Sequence, residues 1–161
     1  MQDRLSEIFS SLSFNTISGE GRIGIAASGI VYQYVLDALG DRKDITLLKI
    51  GTPYPFPQQL AVRFLSKVDR VLVIEELDPI IEEALIEVSY LYKKVPVYGK
   101  KSLRFLKTGE YSLELVDMVI KKFLDADERE LMDKSIDIPP SIKNAFRSIK
   151  EAEQYLDSQS K

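Results

Sequence analysis

Apolar positions along the chain recur in two rhythms. Residues 22–27, 45–50 and 70–74 are short, nearly unbroken apolar runs and read as strands covered on both faces. Residues 95–98 read as a short fourth strand and residues 103–106 as a fifth. Between the runs the spacing lengthens to that of a helix. Ile30, Val31, Tyr34, Val35, Ala38 and Leu39 fall on one stripe, and Gly40 stands where such a helix would stop. Leu60, Phe64 and Leu65 form the next stripe, with Pro57 suited to the first turn. Ile81, Leu85 and Val88 form a third. Asp78 is the expected cap of that helix, Pro79 its first residue, and Glu82 and Glu83 sit at the positive end of its dipole. Ser112 is the expected cap of a last domain helix that turns Leu113, Val116, Ile120 and Phe123 inward.

The two ends differ from this middle. Leu5, Ile8, Phe9 and Leu12 share a face, so residues 1–14 read as a short amphipathic helix, followed by a polar turn over 15–21. Residues 125–161 read as a charged linker, punctuated by Pro139 and Pro140, and a C-terminal helix with Ile142, Ala145, Ile149, Ala152 and Leu156 in a heptad-like stripe. Residues 15–124 form the domain. Strand–helix alternation of this length predicts an α/β fold, with a mostly parallel sheet and right-handed crossovers that place helices on both faces.

Composition narrows the chemistry. The 161 residues include no Cys and no His. The chain therefore supplies no disulfide, no iron–sulfur or Cys/His zinc ligand, no thiolate and no His-based triad. Net charge is −3, so no broad basic field attracts nucleic acid or anionic lipid. No apolar run approaches the roughly 20 residues that span a bilayer. The N-terminal stretch carries Asp3 and Glu7 and lacks the apolar core of a secretory signal, so a cytoplasmic setting is expected.

Gly19, Gly21 and Gly24 have the spacing of a dinucleotide fingerprint, but they precede a strand instead of following one, which removes its physical basis. Ser28 and Gly29 do lie between a strand and a helix. They could offer free N–H groups to an anion, or serve as cap and packing residue. Thr52, Tyr54 and Phe56 lie in a loop stiffened by Pro53, Pro55 and Pro57. The two aromatic rings suit either a binding surface or the domain's own core. Glu75, Glu76 and Asp78 follow the most apolar strand, at the edge where open α/β sheets bind ligands and partners. They could hold Mg²⁺, act as a base or pair with a partner's basic groups; pairing is the expected role, since no other ligand cluster is visible. Lys93, Lys94, Lys100 and Lys101 read as solvated loop charges.

Four blocks in order, GIAASGIVYQYVLDAL, LKIGTPYPFP, RVLVIEELDPIIEE and VYGK, resemble part of the α subunit of indolepyruvate:ferredoxin oxidoreductase, a 2-oxoacid:ferredoxin oxidoreductase. The similarity runs from about Asn15 to about Phe123 and corresponds to that family's transketolase C-terminal-like domain. The resemblance implies a three-layer α/β/α sandwich with one antiparallel edge strand. It also implies an enzyme that oxidatively decarboxylates aryl pyruvates to aryl-acetyl-coenzyme A, using thiamine diphosphate, Mg²⁺ and iron–sulfur clusters. The family's cysteine-rich segment, its GDG…N diphosphate signature and its pyrimidine-side domain have no counterpart in this sequence. The chain thus reads as a middle domain alone, whether split subunit, truncated paralogue or excised fragment.

The expectation is a non-catalytic interaction domain that holds no cofactor itself. Ser28, Gly29, Thr52, Tyr54, Glu75, Glu76 and Asp78 would face thiamine-binding domains or subunits of the same oxidoreductase, with a homodimer as a further option. One alternative is a stand-alone doubly wound module binding a nucleotide, coenzyme A or another anion. Another is the equivalent domain of a different thiamine enzyme, against which the EELDP block weighs.

Overall fold

The computed structural model describes residues 2–103 and 110–126. In chain order the elements are α1 (Gln2–Phe9), β1 (Thr16–Ser18), β2 (Ile23–Ser28), α2 (Gly29–Leu39), β3 (Ile45–Ile50), α3 (Gln58–Lys67), β4 (Arg70–Ile74), α4 (Ile80–Tyr92), β5 (Val97–Tyr98) and α5 (Leu113–Asp125). The strands form one sheet in the order β1-β3-β2-β4-β5. β2 runs parallel to both β3 and β4, β4 parallel to β5, and β1 antiparallel to β3 at the edge. This is the expected three-layer α/β/α sandwich, including its single antiparallel edge strand.

The alternation within the strands sorts the core into two halves. Ile25, Ala27, Leu72 and Ile74 point to one face, where α2 lays down Val31, Val35 and Leu39 and α5 lays down Val116, Val119, Ile120 and Phe123. Ala26, Leu48, Val71 and Val73 point to the other, against Leu60, Phe64 and Leu65 of α3 and Ile81 and Leu85 of α4. Each fully buried aliphatic or aromatic side chain contributes about 1.5–3 kcal/mol. The fingerprint-like glycines belong to this packing. A Cβ on Gly24 would stand 2.6 Å from the Phe64 ring, and one on Gly21 would strike the Asp44 carbonyl.

Several local expectations change. Residues 16–18, read as turn, form β1, which among the described residues pairs with β3 at the sheet edge. Leu103 is buried but lies outside any strand, and 104–106 fall outside the described residues, as does the C-terminal helix expected beyond 140. Leu113 is exposed, and Val119 takes its place on the inner stripe of α5. Ser112 caps α5 as expected, accepting from Leu115 N at 3.3 Å. α1 is helical but docks by the unexpected face. Ser6 and Ser10 are buried while Leu5 and Ile8 are exposed. The reason is hydrogen bonding: Ser6 Oγ donates to the Phe56 carbonyl at 2.6 Å, Ser10 Oγ to the Ser6 carbonyl at 2.8 Å, and Arg63 to the Ser10 carbonyl at 3.0 Å.

Candidate functional site

The register brings three loops to one level. Ser28 pairs with Ile50 and Ala27 with Ile74, so the chain leaves β2, β3 and β4 side by side at the carboxyl edge of the sheet. α2 then departs over one face and α4 over the other. The crevice between β2 and β4 is therefore the topological switch point, where α/β sheets place their binding sites. Four large apolar side chains crowd this edge in solvent: Ile30 is 53% exposed, Tyr54 75%, Leu77 69% and Ile80 51%. Leu77 also holds a left-handed backbone, φ 49°, uncommon for a residue with a branched side chain. Its carbonyl accepts from Lys100 Nζ at 2.5 Å.

Glu75 and Glu76 of the same edge bond to the chain's own backbone, while Asp78 stays exposed. Glu75 is buried. Its Oε2 accepts from Ile81 N at 2.9 Å and its Oε1 from Glu82 N at 3.0 Å, so it caps α4 from the end of β4. Asp78, the expected cap, does not do so; Pro79 occupies the cap position and no side-chain cap bond comes from it. Glu76 Oε1 accepts from Tyr111 N at 2.9 Å, which ties the segment ahead of α5 to the edge. Both oxygens of Glu75 are thus engaged with the chain's own backbone instead of facing out, and Glu76, half-buried, commits its Oε1 to Tyr111 N.

A third acid, read from the sequence only as a partner of the α4 dipole, completes the group. Glu82 is 1% exposed and sits under the turn that follows β5. Both its oxygens accept from Lys101 N, at 3.3 and 3.2 Å, and a Cβ on Gly99 would lie 2.5 Å from its carboxyl carbon. Glu82 falls three positions before Leu85 and four before Ile86, within the apolar stripe of α4, and that placement was the available signal. Burial pushes its carboxyl up to about 7, helped by the charges of Glu75 and Glu83 and opposed by the Lys101 N–H and ammonium. Burial raises Glu75 as well, against the lowering pull of its two N–H donors and Lys100. Burial lowers the Lys100 ammonium, against the surrounding acids. Tyr111 is pushed up to about 12 by burial and then by Glu75, Glu76 and Glu82.

The loop after β3 is held from behind. Asn15 uses its whole amide. Nδ2 donates to the Phe9 carbonyl at 2.8 Å and to Thr52 Oγ1 at 2.7 Å, while Oδ1 accepts from Gly51 N at 2.7 Å and Thr52 N at 3.2 Å. Thr52 is thereby fixed, Phe56 packs onto the α3/α4 core and Tyr54 points to solvent, which separates the two roles left open for the aromatic pair. Ser28 stands at the cap position of α2 but makes no side-chain cap bond, and Gly29, at φ 55°, has open space around it. The lysines are less solvated than expected. Lys93 Nζ donates to the carbonyls of Leu65, Ser66 and Val68, closing the end of α3, and Lys101 Nζ pairs with Glu83.

Thiamine diphosphate and Mg²⁺, implied by the resemblance, do not fit this edge. A diphosphate-bound cation needs several outward carboxylate or carbonyl oxygens; here Glu75 and Glu82 are buried on backbone donors, which leaves Asp78 exposed among apolar side chains. Among the described residues no group of three or more acids could hold a metal ion. Among the same residues no helix is long and apolar enough to cross a membrane.

No family model matches the chain. Curated relatives do. Indolepyruvate oxidoreductase subunit IorA of Thermococcus kodakarensis is 35% identical, with 61% of this chain matched to 16% of that subunit. The IorA subunit of Methanothermobacter thermautotrophicus is 34% identical over 74% of this chain and 19% of its own length. That of Archaeoglobus fulgidus is 30% identical over 76% and 19%. Among solved structures, a split-gene transketolase, described as an inactive β4 tetramer, superimposes with a TM-score of 0.52 at 17% identity, covering 67% of this chain and 40% of that one. A 2-oxoglutarate:ferredoxin oxidoreductase from Magnetococcus marinus gives a TM-score of 0.50 at 14% identity, covering 74% and 21%. The structural likenesses show the fold, and the sequence likenesses cover under a fifth of the relatives' length. The chain is thus similar in sequence to a portion of indolepyruvate oxidoreductase subunit IorA and carries the transketolase C-terminal-domain-like fold.

Proposed function

We propose that this chain is an architectural and contact domain of a cytoplasmic indolepyruvate-type 2-oxoacid:ferredoxin oxidoreductase. The complete enzyme would oxidatively decarboxylate aryl pyruvates to aryl-acetyl-coenzyme A. Thiamine diphosphate, Mg²⁺ and iron–sulfur clusters would reside on other domains or subunits. The carboxyl edge of the sheet is its contact surface for a thiamine-binding domain or subunit, with Tyr54, Ile30, Leu77 and Ile80 as apolar anchors and Ser28, Gly29, Thr52 and Asp78 around them. Glu75 and Glu76 act on that surface indirectly, by fixing the loops that carry it.

The observation that supports this reading most directly is the exposure of those four apolar side chains at the carboxyl edge, on the loops and at the first turns of α2 and α4, while Glu75 beside them is buried. Large apolar side chains exposed at such an edge mark an interaction surface. Buried aromatic and aliphatic anchors carry most of an interface's affinity, and losing one costs about 2 kcal/mol or more, roughly thirtyfold in Kd. The test is co-expression of the full chain with the thiamine-diphosphate-binding chain of its own genome. A stoichiometric complex is expected, weakened at least about tenfold by Tyr54→Ser with Leu77→Ser while the thermal transition of the variant stays in place. No complex, or an affinity indifferent to both changes, refutes the reading.

A further inference from the structure

The turn after β5 rests on a buried acid that forms no ion pair among the described residues. Glu82 bonds the backbone N–H of Lys101, whereas the Lys101 ammonium is turned to Glu83 and the Lys100 ammonium reaches the Leu77 carbonyl. The turn closes tightly over the carboxylate: Leu103 N donates to the Gly99 carbonyl at 2.8 Å and Gly99 N to Ser102 Oγ at 3.0 Å. The absence of a side chain on Gly99 makes room for the carboxyl group. The groups facing this site are Glu75 and Glu76 from the end of β4, Asp78 before α4, Glu83 on α4, Lys100 and Lys101 on the turn, and Tyr111 ahead of α5.

We propose that Glu82 is a proton-operated pin for the contact edge: with its proton on, the 99–102 turn is seated on α4 and Lys100 holds Leu77 in place, and with its proton off the turn loosens and releases Leu77. The proposal rests on the contact reading above for its consequence, not for its mechanism. A neutral carboxyl group is cheap to bury, and its carbonyl oxygen still accepts from Lys101 N. An ionised one, buried beside Glu75 and Glu83, is driven toward water. The turn is the layer that covers the carboxyl group, since the Lys101 N–H bonds its oxygens and Gly99 packs against its carboxyl carbon. Lys100 is the mechanical link, since it lies between the Gly99 ceiling and the Lys101 N–H and its ammonium reaches the Leu77 carbonyl.

The test uses the full chain, labelled with ¹⁵N and with ¹³C at the glutamate carboxyls, between pH 5.5 and 8.5. The Glu82 carboxyl signal should titrate with a midpoint near 7, the value its burial implies, and the Lys101 and Leu77 amide signals should move with the same midpoint. Glu82→Gln should remove the transition at Lys101 and Leu77 and make partner affinity independent of pH over that range. A Glu82 carboxyl that does not titrate there, or a Lys101 transition that survives Glu82→Gln, overturns the pin. A Leu77 signal that stays still while Lys101 moves overturns its link to the edge. If the Gln variant does not fold, the wild-type carboxyl and amide titrations decide the matter alone. Because these titrations need no partner, a chain that titrates as described yet binds no thiamine-binding chain counts against the contact reading and leaves the pin standing.

Discussion

Ile81 donates its backbone N–H to Glu75 Oε2 across 2.9 Å, in a bond shielded from solvent. With the companion bond from Glu82 N, it closes the N-terminus of α4 with a carboxylate that arrives from the end of a strand instead of from the residue before the helix. Removing a cap costs about 0.5–2 kcal/mol, and leaving buried N–H groups without an acceptor adds to that. Glu75→Ala is therefore expected to lower stability by about 2 kcal/mol, read from the urea midpoint at unchanged slope. Asp78→Ala, at the position that local sequence rules favour, should stay within about 0.5 kcal/mol of wild type. The reverse ranking would show that α4 is capped locally after all.

Asn15 offers a second test, because one side chain joins α1 to the loop that carries Tyr54. Its carboxamide oxygen accepts from Gly51 N and Thr52 N, and its amide nitrogen serves Phe9 O and Thr52 Oγ1. Asn15→Ala strands two loop N–H groups and a helix carbonyl, at about 1–3 kcal/mol for each buried group left unpaired. A loss of about 3 kcal/mol is expected. Asn15→Asp keeps both acceptor bonds but loses both donors, and sets a charge against the Phe9 carbonyl. Hydrogen exchange should then quicken in residues 2–10 while amides 51 and 52 keep their protection. Equal loss at both places would show that α1 and the loop come apart as one unit.

The sheet and its domain helices were legible because a parallel sheet covered on both faces writes its strands as nearly unbroken apolar runs and its four covering helices as apolar stripes, whose end residues Ile30 and Leu113 turn out exposed. Ala26 and Ala27 point to opposite helical layers from adjacent positions, and no polar residue interrupts the run. What misled was direction. α1 shows an apolar stripe, yet hydroxyl-to-carbonyl bonds from Ser6 and Ser10 decide which face docks. β1 is three residues long and pairs with β3 at the sheet edge, too little to register as a period. The carboxyl edge itself was foreseen, since the strand ends fix where it lies. Whether Glu75 and Glu76 look outward or inward depends on where α4 and the segment before α5 present their free N–H groups, which is a property of the assembled fold. Glu82 was visible as an acid in an apolar stripe, but it gains a role only once the turn at Gly99 folds over it.

That buried carboxyl also fixes how stability depends on pH. Glu82 titrates near 4.5 in the unfolded chain and near 7 in the fold. Between those values the folded chain holds a proton that the unfolded chain has lost, so stability falls as pH rises through the window and levels off above it. At about 1.4 kcal/mol per factor of ten, the full effect is about 3 kcal/mol. Glu75, raised in the same direction, adds to the slope. Glu82→Gln, which keeps an acceptor for Lys101 N and carries no charge, should flatten most of this dependence. At pH 8 it should be more stable than wild type, and at pH 4.5 the two should nearly coincide. Urea midpoints at pH 4.5, 6, 7 and 8 check the sign. A wild type that gains stability from pH 4.5 to 8, or a Gln variant that is less stable than wild type at pH 8, would mean that the bonds from Lys101 N outweigh the burial of the charge.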